Sequence, residues 1–145
     1  MMERVFIDTN ILLDVLFERE GYQASMEVLQ LGEDGRVKLC TSVLSMANVA
    51  YLIRKGFSAG ELAATLAQLE AMLEILPMNK EQFHEALFLE GPDFEDNLQA
   101  VCAQKAHCSV LITHNPKDYV IRQGLSDLTT LPRTVTPEDY LLSTK

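Results

Sequence analysis

Two kinds of apolar pattern alternate along this chain. Short unbroken runs, Val5-Phe6-Ile7, Val37 to Cys40, Ile75 to Met78 and "SVLIT" at Ser109 to Thr113, read as strands buried on both faces. Between them, apolar positions recur every three or four residues, as on one side of a helix. The predicted elements follow in order. Arg4 to Asp8 is a strand, Asn10 to Arg19 a short helix started by Thr9, and Tyr22 to Glu33 a second helix followed by a Gly-Glu-Asp-Gly turn. Val37 to Cys40 is a strand; Thr41 or Ser42 caps a helix running to Lys55, and Gly56 ends it. Ser58 caps a helix to about Glu74, with Glu61 completing a capping box. Ile75 to Met78 is a short strand, Asn79 caps a helix to Glu90, and Gly91-Pro92 breaks it. Asp93 or Phe94 opens a helix reaching about His107. Then come the strand Ser109 to Thr113, the turn "HNPKDY", a last strand near Arg133 to Thr136, and a helical turn opened by Pro137. Strands alternating with helices predict an α/β fold with a parallel sheet covered on both faces. Sites in such folds form at the C-terminal ends of the strands, where Asp8 and the turn from Thr113 to Asp118 lie.

A length of 145 residues with 48% hydrophobic content fits a single domain, residues 1–145, with its own core. No repeat, low-complexity tract or linker interrupts it. No apolar run approaches the roughly 20 residues of a membrane span. Met1-Met2-Glu3-Arg4 lacks the basic and then apolar segments of a signal peptide, so a cytoplasmic location without membrane contact is expected. The net charge of -9, from 12 Lys+Arg against 21 Asp+Glu, argues against non-specific duplex binding. Nucleic acid remains open as a substrate, because bound cations offset carboxylates. Residues 81–96 hold Glu81, Glu85, Glu90, Asp93, Glu95 and Asp96 and no basic residue. The cysteines, Cys40, Cys102 and Cys108, are odd in number and suggest no disulfide framework. Cys102, His107, Cys108 and His114 lie close in sequence, but their spacing fits no common zinc knuckle, and packed apolar thiols are the better reading.

Four polar positions break the apolar pattern. Asp8 ends a buried strand, where it also serves as a cap for the next helix. In Asp93-Phe94-Glu95-Asp96-Asn97, Asp93 reads as an N-cap with Asp96 at the third helical position, and helix periodicity turns Asp96 the same way as Gln99 and Ala100, toward the sheet. Asn48 shares a stripe with Leu44, Tyr51 and Leu52, so its amide must find partners. A structural tie to the loop after strand one and a direct catalytic role are equally open for it. Asp118 in "THNPKDY" reads alone as a cap of the next segment. Taken together, three distant segments bring acids to one edge of one sheet. Like charges so placed repel, and a hard divalent cation, Mg2+ or Mn2+, is the natural resolution. Such a centre suits phosphodiester hydrolysis.

At these residues the chain resembles the PIN-domain family of small metal-dependent ribonucleases, which includes the VapC-type toxins. "FIDTNILLD" resembles the first motif, with Asp8 as the first acid and Asn10 as its polar companion; "TSVLSMANV" resembles the Ser/Thr-led helix that carries the second. "DFEDNLQAVCAQKAHCSVLITHNPKDY" resembles the third and fourth motifs, with Asp96 as the third acid and Asp93 as a frequent extra one, and "TVTPEDYL" resembles the terminal strand and turn. The departure is Asn48, which stands where the family has Glu and brings no charge; Asp93, Glu95 and Asp118 are the acids placed to compensate. The resemblance implies a three-layer α/β/α PIN-like fold with a short, mostly parallel central sheet. It implies one or two Mg2+ or Mn2+ ions held by Asp8, Asp96 and Asp118, with Asp93 nearby and Thr113 and Asn115 shaping the turn. It implies in-line attack by water on an RNA phosphodiester, with the 3′ oxygen leaving and a 5′-phosphate product. Arg54, Lys55 and Lys117 are the basic candidates for the RNA backbone, though solvated surface charge is the simpler role for each. Family habit further implies a homodimer and silencing by an antitoxin protein of a type II toxin–antitoxin pair. Met46, Tyr51, Phe57 and Met72 are candidates for that surface, with core packing the simpler fate of most.

Two other function classes compete. A degenerate PIN module would bind RNA or protein without cleavage, and Asn48 favours it. A phosphatase using Asp8 as nucleophile would need a second Asp two residues on, where this chain has Asn10.

Overall fold

Strand β1 (Glu3–Ile7) sits at the centre of a wholly parallel five-stranded sheet in the order β3-β2-β1-β4-β5. Its neighbours are β2 (Val37–Ser42), β3 (Glu74–Leu76), β4 (Val110–Ile112) and β5 (Arg133–Val135). The structure, a computed structural model, describes residues 2–119 and 131–144. The helices are α1 (Thr9–Phe17), α2 (Tyr22–Glu33), α3 (Val43–Ile53), α4 (Ala59–Met72), α5 (Lys80–Leu87), α6 (Phe94–Lys105) and α7 (Pro137–Ser143). Tight 3-10 turns follow at Arg54–Gly56 and Pro116–Tyr119.

The unbroken apolar runs work because alternate side chains of a strand meet opposite layers. Val5, Ile7, Leu39, Val110 and Ile112 pack on one face against Ile11 and Leu12 of α1, Val28 of α2, Val49 of α3, Leu69 of α4 and Tyr140 of α7. Phe6, Cys40, Leu76 and Leu111 pack on the other, against Ala100, Cys102 and Ala103 of α6. The result is the expected three-layer α/β/α arrangement. All three cysteines are free and buried in this second layer. Gly32 of α2 lies so close to β2 that an added Cβ would sit 2.4 Å from Leu39 Cδ1.

Several boundaries differ from expectation, each for a local reason. β2 runs two residues further, because Thr41 and Ser42 pair with Ile75 and Leu76, and Thr41 Oγ1 donates to the Ile7 carbonyl at 2.7 Å. Glu74 joins β3 rather than ending α4, and forms an ion pair with Arg4. α5 stops at Leu87, short of Glu90, because the Asn97 amide donates to the Ala86 and Leu89 carbonyls. The Ser58–Glu61 capping box at the start of α4 forms as read.

The chain steps outward from β1 to β2 to β3, then returns across the sheet to place β4 on the other side of β1. The strand order therefore reverses between β1 and β4. In open parallel sheets such a switch point leaves a crevice at the C-terminal strand ends. Asp8 and Thr113 are the residues that follow those two strands.

Candidate active site

Asp8 still belongs to the ladder through its backbone, its N–H donating to the Ile112 carbonyl at 3.0 Å. Its extended backbone then hands the chain to α1, and Oδ1 accepts from the Thr9 N–H at 2.7 Å. The cap is real, but it reaches the adjacent amide rather than one further along. Oδ2 is left for a different partner, the Thr113 hydroxyl, which donates to it at 2.8 Å. Thr113 is completely buried, and its oxygen also accepts from Asn10 Nδ2 at 3.2 Å and from the Asn115 N–H at 3.3 Å. A hydroxyl has one proton and two lone pairs, so all its capacity is used. Asn10 Oδ1 in turn accepts from the His114 N–H at 3.4 Å. Asn10, Thr113 and Asn115 thus brace Asp8 as a unit. Burial raises the Asp8 pKa, and the Thr113 and Thr9 hydrogen bonds oppose that rise.

The acids of α6 approach from the other side. Asp93 is the N-cap, its Oδ1 accepting from the Asp96 N–H at 3.1 Å. That bond gives Asp93 the expected capping role, off the pocket wall but close enough for its charge to act on Asp96. Asp96 does face the pocket, and its carboxyl is pushed up to about 7 by burial first and then by Asp8, Asp93 and Asp118. Asp118 enters from the 3-10 turn, where its N–H donates to the Asn115 carbonyl at 2.9 Å. Tyr119, next in the chain, buries its ring beside Asp8 and Asp96, and burial followed by those two charges drives its phenol pKa upward. Its hydroxyl lies near both carboxylates without hydrogen-bond geometry to either.

A buried polar relay sets the remaining wall. Ser42 Oγ donates to Gln99 Oε1 at 2.6 Å, Gln99 Nε2 donates to Ser45 Oγ at 2.8 Å, and the Ser45 N–H donates to Ser42 Oγ at 2.9 Å. These bonds lock the start of α3 to α6. One turn back from Gln99 lie Glu95 and Asp96; three residues on from Ser45 lies Asn48. Asn48 Nδ2 donates to Glu95 Oε1 at 2.7 Å. The expected tie from Asn48 to the loop after β1 is therefore corrected: the amide spans to α6. Its stripe is corrected too, since Tyr51 and Leu52 are 63% and 55% exposed and face the pocket instead of the core.

These walls enclose a pocket of about 330 Å³ that takes in Asp8, Asn48, Asp96 and Asp118 together with Asn10, Thr113 and Asn115. Arg54, Lys55 and Lys117 are exposed and do not line it. Met46, Phe57 and Met72 pack against the larger core. Sequence reasoning assigned no part to Tyr119, and gave Glu95 only as a compensating acid. It also missed a second buried pair, in which His114 Nε2 meets the Asp14 carboxylate, to which Ser25 Oγ donates at 3.3 Å. The signal for Asp14 was present: an acid in the middle of the apolar helix "NILLDVLF". That pairing and the Cys102 thiol's contact with the Pro77 carbonyl point the Cys/His group of residues 102–114 in different directions.

The polar donors on the pocket wall are carboxylate, amide and hydroxyl oxygens, the set a hard divalent cation takes. Among the described residues no three His, Cys, Asp or Glu side chains converge as a ready ligand shell. The fit is therefore to an ion such as Mg2+, which binds through one or two carboxylates and keeps several waters. A cation here offsets both the burial of the Asp96 carboxylate and the repulsion that Asp8, Asp93 and Asp118 add to it.

Comparison with known proteins agrees with this fold. Ribonuclease VapC1 of Aquifex aeolicus (strain VF5) is 27% identical over 123 residues, covering 81% of this chain and 85% of that protein. VapBC2 from Rickettsia felis, solved bound to a DNA fragment from its promoter, superposes with a TM-score of 0.65 at 16% identity, covering 92% of this chain and 98% of the other. A toxin–antitoxin complex from Klebsiella pneumoniae gives a TM-score of 0.65 at 21% identity, covering 92% and 97%. The family model described as a PIN domain matches residues 4–117, from β1 into the turn that presents Asp118, and on that match the chain belongs to the PIN-domain family.

Proposed function

We propose that this protein is a divalent-metal-dependent endoribonuclease, a single domain over residues 1–145 that acts in the cytoplasm as the toxin of a type II toxin–antitoxin pair. The observation that carries the reading is the gathering of Asp8, Asp96 and Asp118 at the switch point between β1 and β4, with the Asp96 carboxyl pushed up to about 7 by burial first and by the neighbouring acids second. The kinship with a named ribonuclease and the fold shared with toxin–antitoxin complexes support it. We infer further that an antitoxin protein partners the chain, which the toxin–antitoxin complexes of the same fold support, that it covers the site, and that two copies of the chain pair, as the motif resemblance implies. No described helix is long and apolar enough to cross a membrane.

Mg2+ or Mn2+, held through one or two carboxylates of the set Asp8, Asp96 and Asp118 with water filling the other positions, would neutralise phosphate charge and make water a stronger nucleophile. The chain's own residues do the rest. Thr113 and the Thr9 N–H fix both oxygens of Asp8, so its orientation is set before substrate arrives. Asn48 holds Glu95 on the pocket wall, where a carboxylate stands in for the one that position 48 lacks. Water adds its oxygen to phosphorus, the P–O3′ bond breaks, the 3′ oxygen takes up a proton, and the product keeps a 5′-phosphate.

The test is cleavage of labelled total RNA in Mn2+, Mg2+ and EDTA, beside Asp8→Asn and Asp96→Asn. Cation-dependent cutting is expected, falling at least about 100-fold in either variant. Cutting that persists in EDTA or in both variants would sink the reading. Asn48 favours a second reading, a PIN module that binds RNA or protein without cutting. If native protein is inert and Asn48→Glu gains cation affinity and cleavage, that second reading holds.

A further inference from the structure

The pocket has a second wall that the hydrolytic reading leaves unused. Tyr51 and Leu52 lie three and four residues past Asn48 on α3, 63% and 55% exposed, and line the pocket together with Leu13 of α1. Large apolar side chains this open, grouped beside polar catalytic groups, mark a place where something apolar docks. Tyr51 is also held. The Arg54 guanidinium sits 3.7 Å from its ring centroid, and Arg54 Nη1 donates to the Tyr51 carbonyl. One ring face is thus occupied by a cation, and the exposure belongs to the other.

Charge decides what that face receives. The chain carries a net charge of -9, and the opposite wall of the pocket is acidic. Beyond the scissile phosphate that a cation would hold, a nucleic-acid strand gains little here from phosphate contacts, which need clustered Lys and Arg. A base has a neutral π-face that stacks on an aromatic ring whatever the local field, and stacking is the usual source of affinity for single strands. We propose that Tyr51, braced by Arg54 and flanked by Leu52 and Leu13, is a stacking subsite for one unpaired base of the RNA next to the scissile phosphate. This rests on the ribonuclease reading of the same pocket and deepens it. The substrate is then a loop, bulge or tail, because a paired base is already stacked on its neighbours and must be extruded before it reaches the ring.

The experiment uses the whole protein and a short single-stranded RNA with 2-aminopurine placed at each position in turn, in EDTA so that hydrolysis does not intervene. One position is expected to lose fluorescence on binding. Tyr51→Ala is expected to weaken binding about tenfold and abolish that quench, while Tyr51→Phe keeps both. An abasic residue at the quenched position is expected to remove the difference between native protein and Tyr51→Ala. Equal binding by native protein and Tyr51→Ala, absence of any quenched position, or equal binding of the base-paired form overturns the proposal. So does a Tyr51→Ala protein that loses a protein partner and keeps its RNA affinity. The two readings fail separately. Cleavage in Mn2+ without a Tyr51-dependent quench removes only the subsite, and a Tyr51-dependent quench without cleavage in any cation removes only the hydrolysis.

Discussion

Asn48 Nδ2 and Glu95 Oε1 lie 2.7 Å apart, and this bond adds a second tie between α3 and α6, beyond the buried one from Gln99 to Ser45. Replacing the amide by a carboxylate puts two like charges in contact. Asn48→Glu is therefore expected to lower metal-free stability by about 0.5–1 kcal/mol and to raise Mn2+ affinity, since a cation then screens the pair. Thermal unfolding in EDTA and Mn2+ titration calorimetry read the two effects. Unchanged affinity would mean that Glu95 already supplies all the charge this edge of the site uses.

Thr113 is the sole residue among those described that links Asp8, Asn10 and Asn115 through one oxygen. Thr113→Val keeps the volume and removes the hydroxyl. Cleavage or cation affinity is expected to fall about 10–100-fold, the usual loss when a ligand's own support is removed. Single-turnover cleavage at saturating Mn2+ separates loss of chemistry from loss of binding.

The carboxyl of Asp96 rises from 3.8 to about 7 in the folded chain. Between those values the folded state holds a proton that the unfolded state has released, so stability falls as pH rises through that window and levels off above it. Metal-free native protein is expected to melt at a lower temperature at pH 8 than at pH 5. Asp96→Asn should flatten that slope. Cation binding has the opposite dependence, weakening below pH 7 as the proton competes.

His114 Nε2 meets Asp14, a carboxylate only 3% exposed. Burial raises the Asp14 pKa, and the His114 charge opposes the rise. His114→Ala leaves a buried acid with Ser25 as its remaining neutral support, which is expected to cost about 1–3 kcal/mol. Asp14→Asn should cost less, because it removes the buried charge itself and leaves His114, which is partly exposed, to solvent. Urea denaturation of both variants and of the pair gives the coupling directly.

Gln99 occupies the centre of the Ser42–Ser45 relay and is 1% exposed. Gln99→Leu strands two buried hydroxyls and is expected to cost about 2 kcal/mol. It should also weaken cation binding, because it frees α6 from the start of α3. A destabilised variant that keeps native cation affinity would show that the relay serves only folding.

The sheet was readable because most of its strands are built on short apolar runs, such as Val5 to Ile7 and Val110 to Ile112, with caps and breakers between them. Ser42, Ser58, Asn79, Asp93 and Thr136 all cap helices with their own side chains. Asp8 and Asp118 were readable for a related reason: each follows a strand that ends in the layer where α/β sheets keep their chemistry. What escaped were relations between helices. The orientation of Asn48 toward Glu95 depends on how α3 and α6 cross, and no local pattern encodes that angle. Gln99 was seen to turn with Asp96, but its two serine partners lie 57 and 54 residues away. The apolar stripe of α3 misled in the same way, because periodicity does not say whether a stripe meets a core or a cleft.

The Asp8–Thr113 hydrogen bond spans 105 residues of chain. During synthesis, β1 meets β2 early, so half of the sheet has its partners long before the turn at Asp118 exists. At roughly 5–20 residues per second, the wait from Ser42 to Asp118 is on the order of ten seconds. Through that interval a nascent chain holds Asp8 with neither its hydroxyl brace nor the α6 acids opposite. Parallel strand order therefore acts as a clock. The acid pocket gains its last groups only after β4 and the turn at Asp118 have been made.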